Sequence, residues 1–435
     1  MTTQYQYSAD TGAALHGGIP LQRKVTCPHC WHEFKPEDVL WVAQHEELIG
    51  DPILPEEHLR FLPSRFTVEG QAIDARGIIS QALACPNCHL QLPRALLENE
   101  ITFVSLIGSP GSGKSNFLAA MTWELRQKMA RHFALLFTDA DKEANWIINR
   151  YEETLFLPSD PEKPVMLDKT RTQGDLYRSL RINGQETKLP KPFLFTLRPT
   201  QGHPYQQYAS QIGRTMCLYD NAGEHFGVGE DTSNAPVTRH LSRAKALMFL
   251  FDPTQDPRFR KRCQGISTDP QIVESIQTMR QETILSEASN RIRKLASMAA
   301  YAKYDKPLLV LVAKSDIYAP LIDEDLNTEP LLPNQGHGGK LAAVDTDRVE
   351  RVSLKVRQML LEVAPEVVTI AEDFCQHVVY IPVSALGHAP ERVAGQPGLF
   401  VRPKDVKPSW VTVPILYAYA KWSNYLVAGT PQTSA

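Results

Sequence analysis

Ile101-Thr102-Phe103-Val104-Ser105-Leu106-Ile107 runs directly into Gly108-Ser109-Pro110-Gly111-Ser112-Gly113-Lys114-Ser115. The first seven residues are mostly apolar and rich in β-branched side chains, the pattern of a buried strand. The next eight fit GxxxxGK[ST], a phosphate-binding loop. Asn116 to Met129 continues in a helical pattern. The motif therefore stands where its physics requires, between a strand and a helix. Glycines let the backbone curl until its N–H groups point at phosphate oxygens. The helix N-terminus, at Ser115 and Asn116, adds its positive dipole end. Lys114 is the expected contact to the β- and γ-phosphates, and Ser115 the expected Mg²⁺ ligand. The bland alternative is a Gly/Ser-rich loop that fits by chance; the strand and helix on either side argue against it.

Working outward, the 435 residues are enough for more than one domain, or for one with large insertions. The composition, 43% hydrophobic and 22% charged, is that of a globular protein. A net charge of −3 gives no global field to attract nucleic acid or an anionic membrane. The cluster Arg258-Phe259-Arg260-Lys261-Arg262 reads as a solvated helix face. No apolar run approaches the roughly 20 residues of a membrane span. Met1 to Tyr7 has neither the basic start nor the apolar core of a signal peptide. Seven cysteines, four of them in two C-P-x-C pairs, suit metal ligation in a reducing compartment rather than a disulfide framework. The cytoplasm is the expected location.

Residues 1–20 are polar and expected to be unstructured. Residues 21–98 hold Cys27-Pro28-His29-Cys30 and Cys85-Pro86-Asn87-Cys88. Each pair can form a tight turn that points two thiolates at one metal, and two such turns complete a structural Cys₄ zinc site. Residues 31 to 84 separate the pairs, far more than the roughly 15–20 of the usual spacing. The module must therefore carry an insertion, within which Asp38 to Leu48 reads as helical. His32 and His89 flank the pairs, so a site using histidine, two separate sites, or free thiols stay open as alternatives.

Five further stretches read as strands, and three of them end in chemistry. Lys191 to Arg198 and Arg214 to Asp220 are two, and the second runs into Asp220-Asn221-Ala222-Gly223. An acidic residue at a buried strand end before a sharp turn suits a Mg²⁺-associated carboxylate. Ala244 to Asp252 is followed by a helical insertion at about 254–305. Lys306 to Ala313 leads into Lys314-Ser315-Asp316. His377 to Val383 leads into Ser384-Ala385-Leu386. Residues 157–190 and 320–343 read as loops, and 348–361 and 411–425 as helices. Strands alternating with helices predict an α/β fold with a mostly parallel sheet and helices on both faces over residues 99–428, with 429–435 as a tail.

The order P-loop, DxxG, lysine–x–aspartate and Ser-Ala turn resembles the Ras-like, translation-factor-related class of P-loop GTPases. The resemblance covers about 101–426 and implies bound GTP or GDP with Mg²⁺. It implies that Asp316 reads the guanine ring nitrogens, that the Lys314 stem lies over the base, and that the Ala385 N–H meets the guanine oxygen. The cysteine module and the insertions further resemble bacterial double-GTPase proteins proposed for conflict or defence systems, with a regulator, effector or second GTPase as protein partner. Three departures stand out. Ala313 replaces the usual Asn of the base motif. Glu224, followed by His225, replaces the usual water-positioning Gln, which implies slow hydrolysis. The switch threonine that would ligate Mg²⁺ falls on Thr172 or Thr170, with Thr187 as another candidate. A nucleotide-locked interaction module with little hydrolysis and a P-loop ATPase are the alternative readings.

Overall fold

A strand that is apolar on both sides of its pleat cannot face water on either, so Glu100–Gly108 (β1) belongs at the middle of a sheet. The computed structural model describes residues 6–7, 21–167, 177–182, 184–221, 239–273, 280–299, 301–334, 341–423 and 425–430. In it β1 is the central strand of seven. The chain then forms α1 (Lys114–Phe133), β2 (Leu135–Asp139), α2 (Trp146–Phe156), β3 (Phe193–Pro199) and β4 (Arg214–Asp220). It continues through β5 (Ala246–Phe251), α3 (Gln281–Leu295), β6 (Leu308–Val312), α4 (Thr346–Val363), α5 (Pro365–Phe374), β7 (Val378–Pro382) and α6 (Val413–Trp422). The sheet order is β2-β3-β4-β1-β5-β6-β7. The β4, β1, β5, β6 and β7 neighbours all pair in parallel, and β3 is antiparallel to both β4 and β2.

Side chains alternate across a strand, so each strand serves two cores. Val104 and Leu106 of β1 join Phe195, Leu197, Met216 and Leu218 in the main core. Their neighbours Phe103, Leu194, Cys217 and Tyr219 point the other way and pack with Val25, Cys27, Trp31, Cys85, Cys88 and Leu96. The cysteine module is thus seated on one face of the β3-β4-β1 half of the sheet. Each large apolar side chain so covered contributes about 1.5–3 kcal/mol.

Several sequence expectations need correction. Asp38 to Leu48 is not a helix: Leu40–Val42 is a strand between Arg60–Phe61 and Leu83–Ala84. So short a helix is marginal alone, whereas a strand there borrows hydrogen bonds from both neighbours. The expected 157–190 loop contains a hairpin, Tyr177–Ile182 with Gln185–Pro190, whose Leu180 and Leu189 join the core around the cysteines. Its Asn183-Gly184 connection is a strong hairpin signal that composition alone hid. The expected 320–343 loop contains the paired strands Leu331–Asn334 and Leu341–Val344. Gln6–Tyr7, expected to be unstructured, pairs with Ala428–Gly429. Helix α5 is an element beyond those expected, and Pro365 at its first position marks its start. Residues 274–279, within the expected helical insertion, lie outside the described residues. Among the described residues no helix is long and apolar enough to cross a membrane.

Candidate functional site: the phosphate-binding loop and the strand ends beside it

Register brings together the strand ends that lead into the four motifs. Leu106 of β1 pairs with Asp220 of β4, and Gly108 with Leu250 of β5. Phe251 pairs with Val312 of β6, and Val312 with Pro382 of β7. Because these strands run in parallel, Asp220, Gly108, Asp252, Ala313-Lys314 and Val383-Ser384 all leave the sheet at its carboxyl edge. That edge is where ligands of open α/β sheets bind.

The loop is held in a curled form. Gly111 and Gly113 take φ of +73° and +88°, and a Cβ on Gly108 would meet Leu250 O at 3.0 Å. The Lys114 ammonium is folded back onto Gly108 O and Ser109 O, each at 3.0 Å. Ser115 and Asn116 are half-buried in the first turn of α1. Ser112 Oγ and Asp220 Oδ1 are buried and have no hydrogen-bond partner among the described residues. Burial pushes the Asp220 carboxyl up to about 6, and nearby Lys114 opposes the shift. An acceptor stranded beside a lysine at a strand end fits a cation such as Mg²⁺, which would give Oδ1 its missing partner. Ser115 is the second ligand the sequence offers for it.

On the far side, Ser384 Oγ donates to Asp316 Oδ1 at 2.5 Å and accepts from the Gly387 N–H at 2.8 Å. The Ser315 N–H donates to Val383 O, which locks the two loops side by side. Ala385 and Leu386 are half-buried beyond them. Lys314, in the left-handed region at φ +54°, donates to Asp252 Oδ2 and Thr254 Oγ1, both at 2.8 Å. Thr187 lies on the hairpin, where its hydroxyl donates to Gln185 O at 3.4 Å. Gly223, Glu224, His225, Thr170 and Thr172 lie outside the described residues.

Sequence reasoning missed Asp252, Thr254, Gln255 and Gln281, all of which touch this edge. The signal for Asp252 was the one used for Asp220: an acidic residue closing an apolar strand. No local signal marks the two glutamines.

The cysteine pairs form a second candidate site. Their four Sγ atoms lie within 4.8 Å of one another. Cys27 and Cys88 sulfurs are 3.8 Å apart, Cys30 and Cys85 3.7 Å. A tetrahedral metal with bonds of about 2.3 Å holds its sulfurs about 3.8 Å apart, so the geometry fits a closed S₄ site. The two turns repeat each other. Cys27 N–H donates to His32 O and Cys85 N–H to Leu90 O; Trp31 and His89 both take φ near +60°. His29 N–H donates to Cys27 Sγ and Asn87 N–H to Cys85 Sγ, both at 3.4 Å. Burial pushes the Cys27 thiol well up, while sulfur hydrogen bonds, from Cys27 first, pull Cys30 down. His89 is engaged elsewhere, its Nδ1 2.8 Å from both Asp51 oxygens. The His32 ring stacks on Phe34. The geometry therefore favours four cysteines over the histidine alternatives.

The two sites touch. Tyr219, immediately before Asp220, donates its hydroxyl to Pro28 O of the first cysteine turn at 2.5 Å. Its ring stacks on His240 at 4.3 Å, and His240 stacks on Trp31 at 6.0 Å. Arg243 pairs with Glu33 at 2.5 Å.

No family model matches the chain. A protein of Mycolicibacterium smegmatis described as "Putative ESX-1 scaffolding and assembly protein SaeC" is 25% identical over 184 residues, 42% of this chain and 41% of its own. The chain thus spans about two fifths of that relative. Among solved structures, Aquifex aeolicus Era bound to GDP.AlF4- is similar with a TM-score of 0.23 and 13% identity, over 69% of this chain and 62% of its own. The Saccharomyces cerevisiae Ski7 GTPase-like domain bound to GDP and phosphate has a TM-score of 0.31 and 11% identity, over 74% and 50%. Likenesses this slight carry no argument about activity.

Proposed function

We propose that the chain binds Mg²⁺–GTP at the carboxyl edge of its sheet, hydrolyses it slowly, and serves as a switch that a protein partner senses. One observation carries this reading. Four motifs spread over 277 residues, from Gly108 to Ser384, are brought by strand register to one edge. In the proposed complex the backbone N–H groups of residues 108–115 surround the phosphates, and Lys114 leaves its two carbonyls for phosphate oxygens. Ser115 and Asp220 hold Mg²⁺, which neutralises charge on the transferred group. Asp316, oriented by Ser384, accepts from the guanine nitrogens. An adenine would leave that carboxylate unpaired, which is costly. The four cysteines hold one structural Zn²⁺.

Glu224 supports the slow rate. A carboxylate in the water-positioning place accepts a hydrogen bond but donates none, and it repels the transferring phosphoryl group. This residue equally favours the second reading, a nucleotide-locked module that a partner recognises without turnover. The words "scaffolding and assembly" in the relative's name suit either form, since both act through a protein partner. A role in bacterial conflict, defence or signalling rests on resemblance of architecture.

The test is binding and turnover of labelled GTP, GDP and ATP by the pure protein. Lys114→Ala should weaken GTP binding at least tenfold, about 1.4 kcal/mol, with the fold intact. Asp316→Asn should move preference from guanine towards xanthine. A Lys114→Ala protein that binds GTP like the parent sinks the phosphate-site assignment. A parent that prefers ATP, and ignores Asp316→Asn, makes an ATPase the better reading.

A further inference from the structure

The phosphate loop and the base-contacting lysine are joined by side chains that no motif includes. Ser109, fully buried, donates its hydroxyl to Gln255 Oε1 at 2.6 Å, with Gln281 Oε1 a second acceptor at 3.4 Å. Gln255 Nε2 returns a bond to Pro110 O at 3.0 Å. Gln281, the first residue of α3 and 4% exposed, grips the backbone of Asp252 on both sides. Its Oε1 accepts the Asp252 N–H at 2.7 Å, and its Nε2 donates to Asp252 O at 2.8 Å.

The Asp252 carboxylate, 1% exposed, then divides its two oxygens. Oδ1 accepts from the Thr254 N–H at 2.9 Å and the Thr254 hydroxyl at 2.7 Å. Oδ2 takes the Lys314 ammonium, which also reaches Thr254 Oγ1. Ala313, next to Lys314, offers no polar side chain, and its N–H is spent on Phe251 O. The lysine is therefore steered from Asp252 and Thr254 rather than from its own loop. A buried carboxylate left without its cation is expensive, so the ammonium is held at one point.

We propose that Asp252 and Thr254 are positioning residues for purine selectivity: by fixing Lys314 they hold the Lys314-Ser315-Asp316 turn from which Asp316 reads the base. They fix Lys314 over the base, and Gln281 and Gln255 tie that setting to the phosphate loop through Ser109. This rests on the nucleotide reading above, in which Asp316 discriminates the base, and assigns the support of its turn to residues outside the four motifs. Lys314 is the group that touches the base; Asp252 and Thr254 act through it.

The test uses the full chain and fluorescently labelled GDP and ADP, with thermal melting measured in parallel. Thr254→Val keeps the shape of the buried side chain and removes the hydroxyl; Thr254→Ser keeps the hydroxyl. Asp252→Asn removes the charge that holds Lys314. Thr254→Val and Asp252→Asn should weaken GDP at least fivefold, leave ADP within twofold, and so compress the GDP-to-ADP preference. Thr254→Ser should restore the parent ratio. A merely structural role would lower the melting temperature of the variants and weaken GDP and ADP equally, which overturns the proposal. An unchanged ratio in Thr254→Val, with GDP bound as tightly as in the parent, also overturns it while leaving the nucleotide reading intact. A parent that binds neither nucleotide overturns that reading, and this assignment with it.

Discussion

Gly387 shows how much one residue can decide. It takes φ of +76°, and a Cβ there would stand 2.1 Å from Lys407 O, a backbone atom with little room to retreat. Its N–H donates to the Ser384 hydroxyl that orients Asp316. Gly387→Ala should cost about 1–2 kcal/mol through the left-handed backbone alone, and more through the collision. It should also weaken guanine nucleotide binding, because Asp316 loses its support. Urea unfolding and GDP affinity check both; an unchanged midpoint and affinity would show that the loop simply shifts aside. Glu224 carries the other prediction at this scale. Glu224→Gln removes a charge and restores a donor at nearly constant shape, so GTP hydrolysis should hold or rise in a single-turnover assay. A fall of tenfold or more, about 1.4 kcal/mol of barrier, would make Glu224 itself the catalytic group. Single residues of the candidate site could be picked out where they stand in short motifs: Lys114, Asp220, Asp316 and Ser384 were named from spacing. Gln281 could not, because what matters about it is which backbone it meets, 29 residues away at Asp252.

At the scale of elements, β4 is where the two candidate sites meet. One face of this strand gives Met216 and Leu218 to the main core; the other gives Cys217 and Tyr219 to the cysteine module. The first cysteine turn presses on Tyr219 and accepts its hydroxyl, one residue before Asp220. Loss of the metal should therefore reach beyond the module. The protein should hold one Zn²⁺ per chain by metal analysis under reducing conditions. Chelation, or Cys27→Ser, should lower the melting temperature of the whole chain and weaken Mg²⁺-dependent nucleotide binding, since β4 loses the layer that covers it. Metal-free protein with an unchanged melt would show that the four thiols pack well enough alone. Strand β4 was readable from the sequence, with the bounds the structure gives it. The docking was not, because alternation predicts that both faces are covered without saying by what.

For the whole molecule, the chain ends are part of the architecture. Gln6–Tyr7 pairs antiparallel with Ala428–Gly429, and Val344 pairs with Gly429, so the first described residues close a four-stranded sheet with the last. Backbone hydrogen bonds contribute about 0.5–1.5 kcal/mol each. Deleting residues 1–7 should thus lower stability by about 1–3 kcal/mol, read as a lower urea midpoint; an unchanged midpoint would show this pairing to be idle. Composition gave no hint of it, since residues 1–20 look like a solvated tail. The contrast marks what each level decides. Local order determines the α/β alternation, the position of β1, the phosphate loop and the two cysteine turns, because each depends on neighbours within one strand or turn. Tertiary structure decided the hairpin at 177–190, the strand at Leu40–Val42, the closure of the chain ends, the seat of the cysteine module on β4, and the Ser109–Gln281–Asp252–Lys314 connection. All of these depend on hydrogen bonds and buried faces whose partners are far along the chain, and a pattern of residues says that such a partner is needed without naming it.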